Sequence, residues 1–152
     1  MPEILKTGAD NSEEQIIAKA AEILAAGGVI AYPTETFYGL GADATNEKAI
    51  QKIFAVKGRN SKNPVALIIG QHEDIYPLVK DIPETAKILM AAFWPGALTI
   101  VFSAADIVSP KLTAGSGKIF VERARIVCIA TPDSQGTGLK NRAAVRDFQD
   151  FQ

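Results

Sequence analysis

The sequence predicts an α/β (α+β) fold with a mixed sheet, and three observations predict it. Short apolar runs at 29–31, 65–69, 97–102 and 118–121 read as strands. Between them lie stretches with apolar residues at helical spacing, Ile50, Ile53 and Phe54 among them. Several connections are short, which mixes antiparallel with parallel pairing.

Residues 1–10 are polar and irregular, a lead-in. Asn11 or Ser12 caps the first helix, with Glu14 or Gln15 as the return half of a capping box. Ile16, Ile17, Ala20, Ile23 and Leu24 share one face, which packs on the sheet. Gly27-Gly28 ends the helix, since glycine takes positive φ at no steric cost. Val29-Ile30-Ala31 follows as a buried strand. Pro33 stops it by fixing its own φ and pushing Tyr32 toward extended geometry. Residues 32–41 then read as one loop carrying hydroxyls, a carboxylate and two glycines. Polar groups beyond a buried strand end lie where open α/β sheets hold ligands.

Thr45 or Asn46 caps a second helix through about residue 56, whose buried side is Ile50, Ile53 and Phe54. Gly58 terminates it, so Lys57 and Arg59 stand at its C-terminus. Cations there offset the helix dipole, worth about 0.3–1 kcal/mol. With Lys62 and Asn63 close behind, the same cluster suits phosphate oxygens through charge-assisted hydrogen bonds. Pro64 leads into a buried strand at 65–69. Residues 72–79 form a short helix with Ile75 and Leu78 inward, and His72 reads as a loop or surface residue. Pro83 opens another helix, with Ile88, Leu89, Ala92 and Phe93 as its apolar side. Phe93-Trp94-Pro95-Gly96 breaks it; Trp94 reads as a core anchor, with adenine stacking as the rarer role. A turn of helix surrounds Pro110. The turn 113–117, with Thr113 and Ser116, can offer backbone N–H groups to an anion. From Glu122 onward there is a brief apolar run at 126–130 and no sustained period of two or 3.6. No repeat, low-complexity tract or linker divides the chain, so residues 1–152 read as one domain.

Composition narrows the chemistry. An apolar content of 47% with 22% charged residues describes a folded globular chain rather than a disordered one. A net charge of -1 gives no overall pull toward nucleic acid, which leaves only a local basic patch for an RNA contact. The single cysteine, Cys128, cannot form an internal disulfide, which favours the cytoplasm. No signal peptide is expected, and no membrane span, because no apolar run approaches roughly 20 residues. With one histidine and one cysteine, a zinc site lacks ligands and a Ser-His-Asp triad would have to recruit His72, so no protein-held metal is expected. Neither a Walker loop nor a G-x-G-x-x-G fingerprint is present.

PTETFYGLGADA, KIFAVKGRNSKNPVALII, FWPGALTIVF and LTAGSGKI, in that order over residues 12–119, resemble the YrdC-like family of threonylcarbamoyl-AMP synthases. Phe37 and Asn60 are mild departures. Beyond Ile119 the resemblance ends: the family's arginine-proline stretch and later Thr-Ser-Ala-Asn segment do not stand in residues 120–152. The resemblance implies a YrdC-like twisted open mixed sheet flanked by helices, its C-terminal part truncated or altered. It also implies a nucleotidyltransferase that makes L-threonylcarbamoyladenylate and pyrophosphate from L-threonine, bicarbonate and ATP with Mg2+. A downstream tRNA threonylcarbamoyl transferase would then place the group on adenosine in tRNA. Carried onto this sequence, Lys57 and Arg59 are the catalytic phosphate clamp, and Thr34, Thr36 and Tyr38 hold threonine. Lys62, Asn63, Thr113 and Ser116 join Lys57 and Arg59 around the nucleotide. The rival readings are a double-stranded RNA-binding module of the same fold, an inactive truncated remnant, and the related carbamoyl-transfer domain of hydrogenase maturation, which usually sits in a much longer chain.

Overall fold

The computed structural model describes residues 2–5, 13–34, 38–58, 63–123 and 144–146. Helix α1 (Glu13–Ala25) buries Leu24 and half-buries Ile16, Ile17, Ala20 and Ile23, the face its spacing predicts. The expected caps at Asn11 and Ser12 lie outside the described residues. At its other end Gly27 takes φ 75°. Its N–H donates to the Leu24 carbonyl at 2.9 Å, and that of Gly28 to Ile23 at 2.8 Å, the paired bonds of a Schellman cap. A Cβ on Gly28 would stand 2.7 Å from the Ile23 carbonyl oxygen, so no larger residue closes the helix this way.

The chain then forms a two-stranded antiparallel sheet of β1 (Val29–Pro33) and β2 (Tyr38–Ala42), with Tyr32 opposite Gly39. Two expectations are corrected here. Residues 38–41 are strand rather than loop, and β1 is half-exposed rather than buried. The reason lies in the glycines at 39 and 41, whose bare backbone receives the Tyr32 ring; a propensity reading takes the same glycines for loop.

Asn46 caps α2 (Glu47–Lys57), its side-chain oxygen accepting from the N–H of Lys48 at 3.1 Å and of Ala49 at 3.2 Å. Ile50, Ile53 and Phe54 are buried as expected, and Gly58 closes the helix at φ 61°. The Lys52 ammonium donates to the Gly27 carbonyl at 2.6 Å, tying α2 to the end of α1. The main sheet runs in the order β4-β5-β3-β6. In it β3 (Ala66–Ile69) pairs parallel with β5 (Lys118–Arg123), β4 (Thr99–Ser103) antiparallel with β5, and β6 (Ala144–Arg146) antiparallel with β3. The tail therefore supplies a strand where the sequence shows no strand period, and β6 covers the edge of β3 opposite β5. One face of this sheet, with Leu67, Ile69, Phe102, Ile119 and Val121, joins α2, Ile75, Met90 and Trp94 in the main core. The opposite face offers Ile68 to a small separate cluster with Leu24, Ile30 and Tyr32.

A 3-10 helix (His72–Leu78) buries Ile75 and Leu78. Next, α3 (Glu84–Phe93) differs from expectation: it buries Ala86 and Met90, while Ile88 is 63% and Phe93 57% exposed and Leu89 is also exposed. The helix is apolar on two adjoining sides, so spacing alone does not choose between them. Ala86 and Met90, one turn apart, give the inward contact.

Short α4 (Pro110–Thr113) is capped by Ser109, and its Lys111 donates to Glu47 at the start of α2 at 2.8 Å. Ser109 Oγ donates to the same carboxylate at 2.7 Å. These two bonds, with the nearby positive charge, hold the Glu47 carboxyl below its ordinary value. A lowered folded-state pKa means stability that is present above the unfolded pKa and lost as pH falls through the folded one. Glu47→Gln should therefore melt below the parent protein at pH 7, and the gap should close as pH drops below the ordinary value of 4.5; thermal melts across pH check this.

Candidate functional site

Two groups of the expected site residues emerge, one on the hairpin and one at an end of the main sheet. On the hairpin, Thr34 follows β1 and is half-buried, while Tyr38 opens β2 and is 77% exposed. Tyr38 pairs with Pro33, so Thr34 and Tyr38 flank the connection that holds Thr36. Thr36 itself, with Arg59 and Lys62, lies outside the described residues.

At the main sheet, Lys57 sits exposed in the last turn of α2, and Asn63 is exposed at the far end of the connection. Two residues on, the Val65 N–H donates to the Leu112 carbonyl at 3.1 Å, which fastens this segment to α4. The parallel register sets Ala66 against Phe120, so the segments that lead into β3 and β5 enter the pair from the same end. Asn63 and the 113–117 turn thus share one end of the sheet. Helix α2 touches both hairpin strands and α4, and so links the two groups.

The turn itself corrects an expectation. Thr113 is buried and its hydroxyl donates to the Pro110 carbonyl at 3.3 Å; the Ser116 hydroxyl donates to the Thr113 carbonyl at 2.6 Å. The N–H of Gly115 donates to Pro110 at 3.1 Å and that of Ser116 to Thr113 at 3.0 Å. Lys118 N–H is held by Ser116 Oγ at 3.2 Å. Positive φ at Ala114, Gly115 and Gly117 coils the chain onto its own carbonyls, so these N–H groups serve the turn instead of facing an anion.

Trp94 takes the core role: it is 7% exposed, and its indole N–H donates to the Leu98 carbonyl at 2.7 Å. His72, half-buried, meets it edge-on with ring centres 6.3 Å apart. Two buried acids sit outside the expected set. Asp43 accepts from the Thr45 N–H at 2.9 Å and hydroxyl at 2.6 Å, which is turn chemistry. Glu122 accepts from Thr99 Oγ1 at 3.2 Å across the β4–β5 pair. Among the described residues no group of three or more His, Cys, Asp or Glu could hold a metal ion. Among them, too, no helix is long and apolar enough to cross a membrane. Sequence reasoning missed the part played by Tyr32 with Gly39 and Gly41; the signal was the spacing of two between glycines, which sets both on one face of a strand.

Comparison with known proteins bears on what this arrangement serves. A family model named for Sua5, YciO and YrdC, and described as telomere recombination, matches residues 22–124. The threonylcarbamoyl-AMP synthase of Bacillus subtilis is 48% identical over 100 residues, 65% of this chain and 29% of that protein. That of Pyrococcus abyssi is 42% identical over 109 residues, 72% of this chain and 32% of that one. The chain thus spans about a third of the length of these relatives. The crystal structure of P. abyssi Sua5 complexed with L-threonine superposes with a TM-score of 0.78 at 34% identity, over 90% of this chain and 39% of that one. The crystal structure of T. kodakarensis HypF, 19% identical with a TM-score of 0.68, shares the fold alone.

Proposed function

From the premise that the chain belongs to the Sua5/YciO/YrdC family, we propose that it carries the substrate-gripping part of a threonylcarbamoyl-AMP synthase. In that reaction the amine of L-threonine captures bicarbonate as a carbamate, and water is lost. A carbamate oxygen attacks the α-phosphate of ATP, and pyrophosphate leaves. Negative charge grows on phosphorus and on the departing pyrophosphate, so fixed cations matter more than a nucleophilic side chain. Lys57 and Arg59, joined by Lys62, clamp the phosphates. Asn63 and Ser116, both exposed, border the nucleotide, while buried Thr113 holds the shape of the 113–117 turn behind them. Thr34, Thr36 and Tyr38 hold the amino acid, and hydroxyl partners of this kind let a site reject an analogue lacking the threonine hydroxyl. Mg2+ arrives on the phosphates of ATP. A tRNA threonylcarbamoyl transferase in the cytoplasm receives the product.

The single observation that carries this reading is the family match over residues 22–124, which takes in both the hydroxyl arm and the basic connection. Pyrophosphate release that requires ATP, L-threonine and bicarbonate together is the expected result. Absence of release, with ATP still raising the melting temperature, would favour an inactive binding remnant. An RNA contact through the basic connection would announce itself as binding that falls steeply with salt.

A further inference from the structure

The hairpin carries a packing arrangement that deepens the proposed threonine site and rests on that reading. Tyr32 and Thr34 alternate onto one face of the β1 segment, and Gly39, opposite Tyr32, lies beneath them. A Cβ built on Gly39 would stand 3.2 Å from Tyr32 Cζ, 3.3 Å from its hydroxyl oxygen and 3.5 Å from Thr34 Cγ2. One on Gly41 would stand 3.0 Å from Tyr32 Cε1. The ring therefore fills the space two side chains would take, its hydroxyl buried, and the Thr34 methyl borders the place that a Cβ on Gly39 would occupy.

Threonine is branched at Cβ, so seating its methyl fixes where its hydroxyl points. Moving that methyl to the next staggered well turns the hydroxyl by about 120°. We propose that Tyr32, laid across Gly39, is a positioning residue that sets the direction of the Thr34 hydroxyl, and that an empty Cβ place at 39 is required for the site to recognise an amino acid bearing a hydroxyl. Pro33 between them, with its fixed φ, removes the backbone freedom that would let Thr34 compensate.

The test compares affinities for L-threonine and for ATP by calorimetry, with the melting temperature as a control. Gly39→Ala should weaken L-threonine binding by about tenfold, which is 1.4 kcal/mol, and leave ATP affinity unchanged. Tyr32→Leu, which removes the ring but adds nothing at 39, should lose threonine affinity similarly, and Tyr32→Phe should retain it. Equal losses for threonine and ATP, tracking a lower melting temperature, would make the ring merely structural and overturn the proposal. So would a Gly39→Ala or Tyr32→Leu protein that binds threonine like the parent. A parent protein that binds no threonine would instead sink the functional reading above, and this inference with it.

Discussion

Alanine at both Lys57 and Arg59 should cut pyrophosphate release at least about a hundredfold, the scale set by losing a fixed group that meets developing charge. The melting temperature should barely move. Lys57 is exposed in the last turn of α2, where its charge complements the helix dipole by about 0.3–1 kcal/mol. These magnitudes separate two readings that the sequence alone leaves side by side. A protein that loses a few degrees and keeps its rate within a few-fold would make the cations helix-end partners only. ATP affinity, read on the same variant, gives the matching outcome where turnover is slow.

Leu67→Ala should be strongly destabilising, costing about 3 kcal/mol out of a total of roughly 5–15. Leu67 is 1% exposed on β3, between β5 and β6, and faces the main core. Urea unfolding should show a lower midpoint with an unchanged slope. The informative control is Ile88→Ala. The spacing of α3 makes Ile88 a core residue, yet it is 63% exposed, so its truncation should fall within about 0.5 kcal/mol. Comparable losses at both positions would contradict the observed orientation of α3.

How far the fold was legible in the sequence follows from which forces are local. Caps and helix ends were readable because one residue decides them: Asn46, Gly27 and Gly58 act through their own side chain or φ. Strands β3, β4 and β5 were readable from short apolar runs. The hairpin was not, because Gly39 and Gly41 gain their strand geometry from Tyr32 on the neighbouring strand, and a cross-strand contact leaves no trace in local propensity. Neither was β6, whose three residues are too few to show a period. The turn at 113–117 was recognised as a turn, but the direction of its N–H groups depends on the run of positive φ at Ala114, Gly115 and Gly117. For the site, Thr34, Tyr38, Lys57 and Asn63 were named from motif order, while Thr36, Arg59 and Lys62 fall outside the described residues.

The hairpin's own small cluster, Leu24 and Ile68 with Ile30 and Tyr32, stands apart from the main core. Opening free energy follows the apolar contacts broken, so the amide protons at the Pro33–Tyr38 end of the hairpin should trade with solvent more readily than those near Ala42, which belongs to the main core. On the proposed reading, an amino acid gripped by that arm should slow the trade by the factor its own affinity dictates. The arm is thus a built-in gauge of its own occupancy.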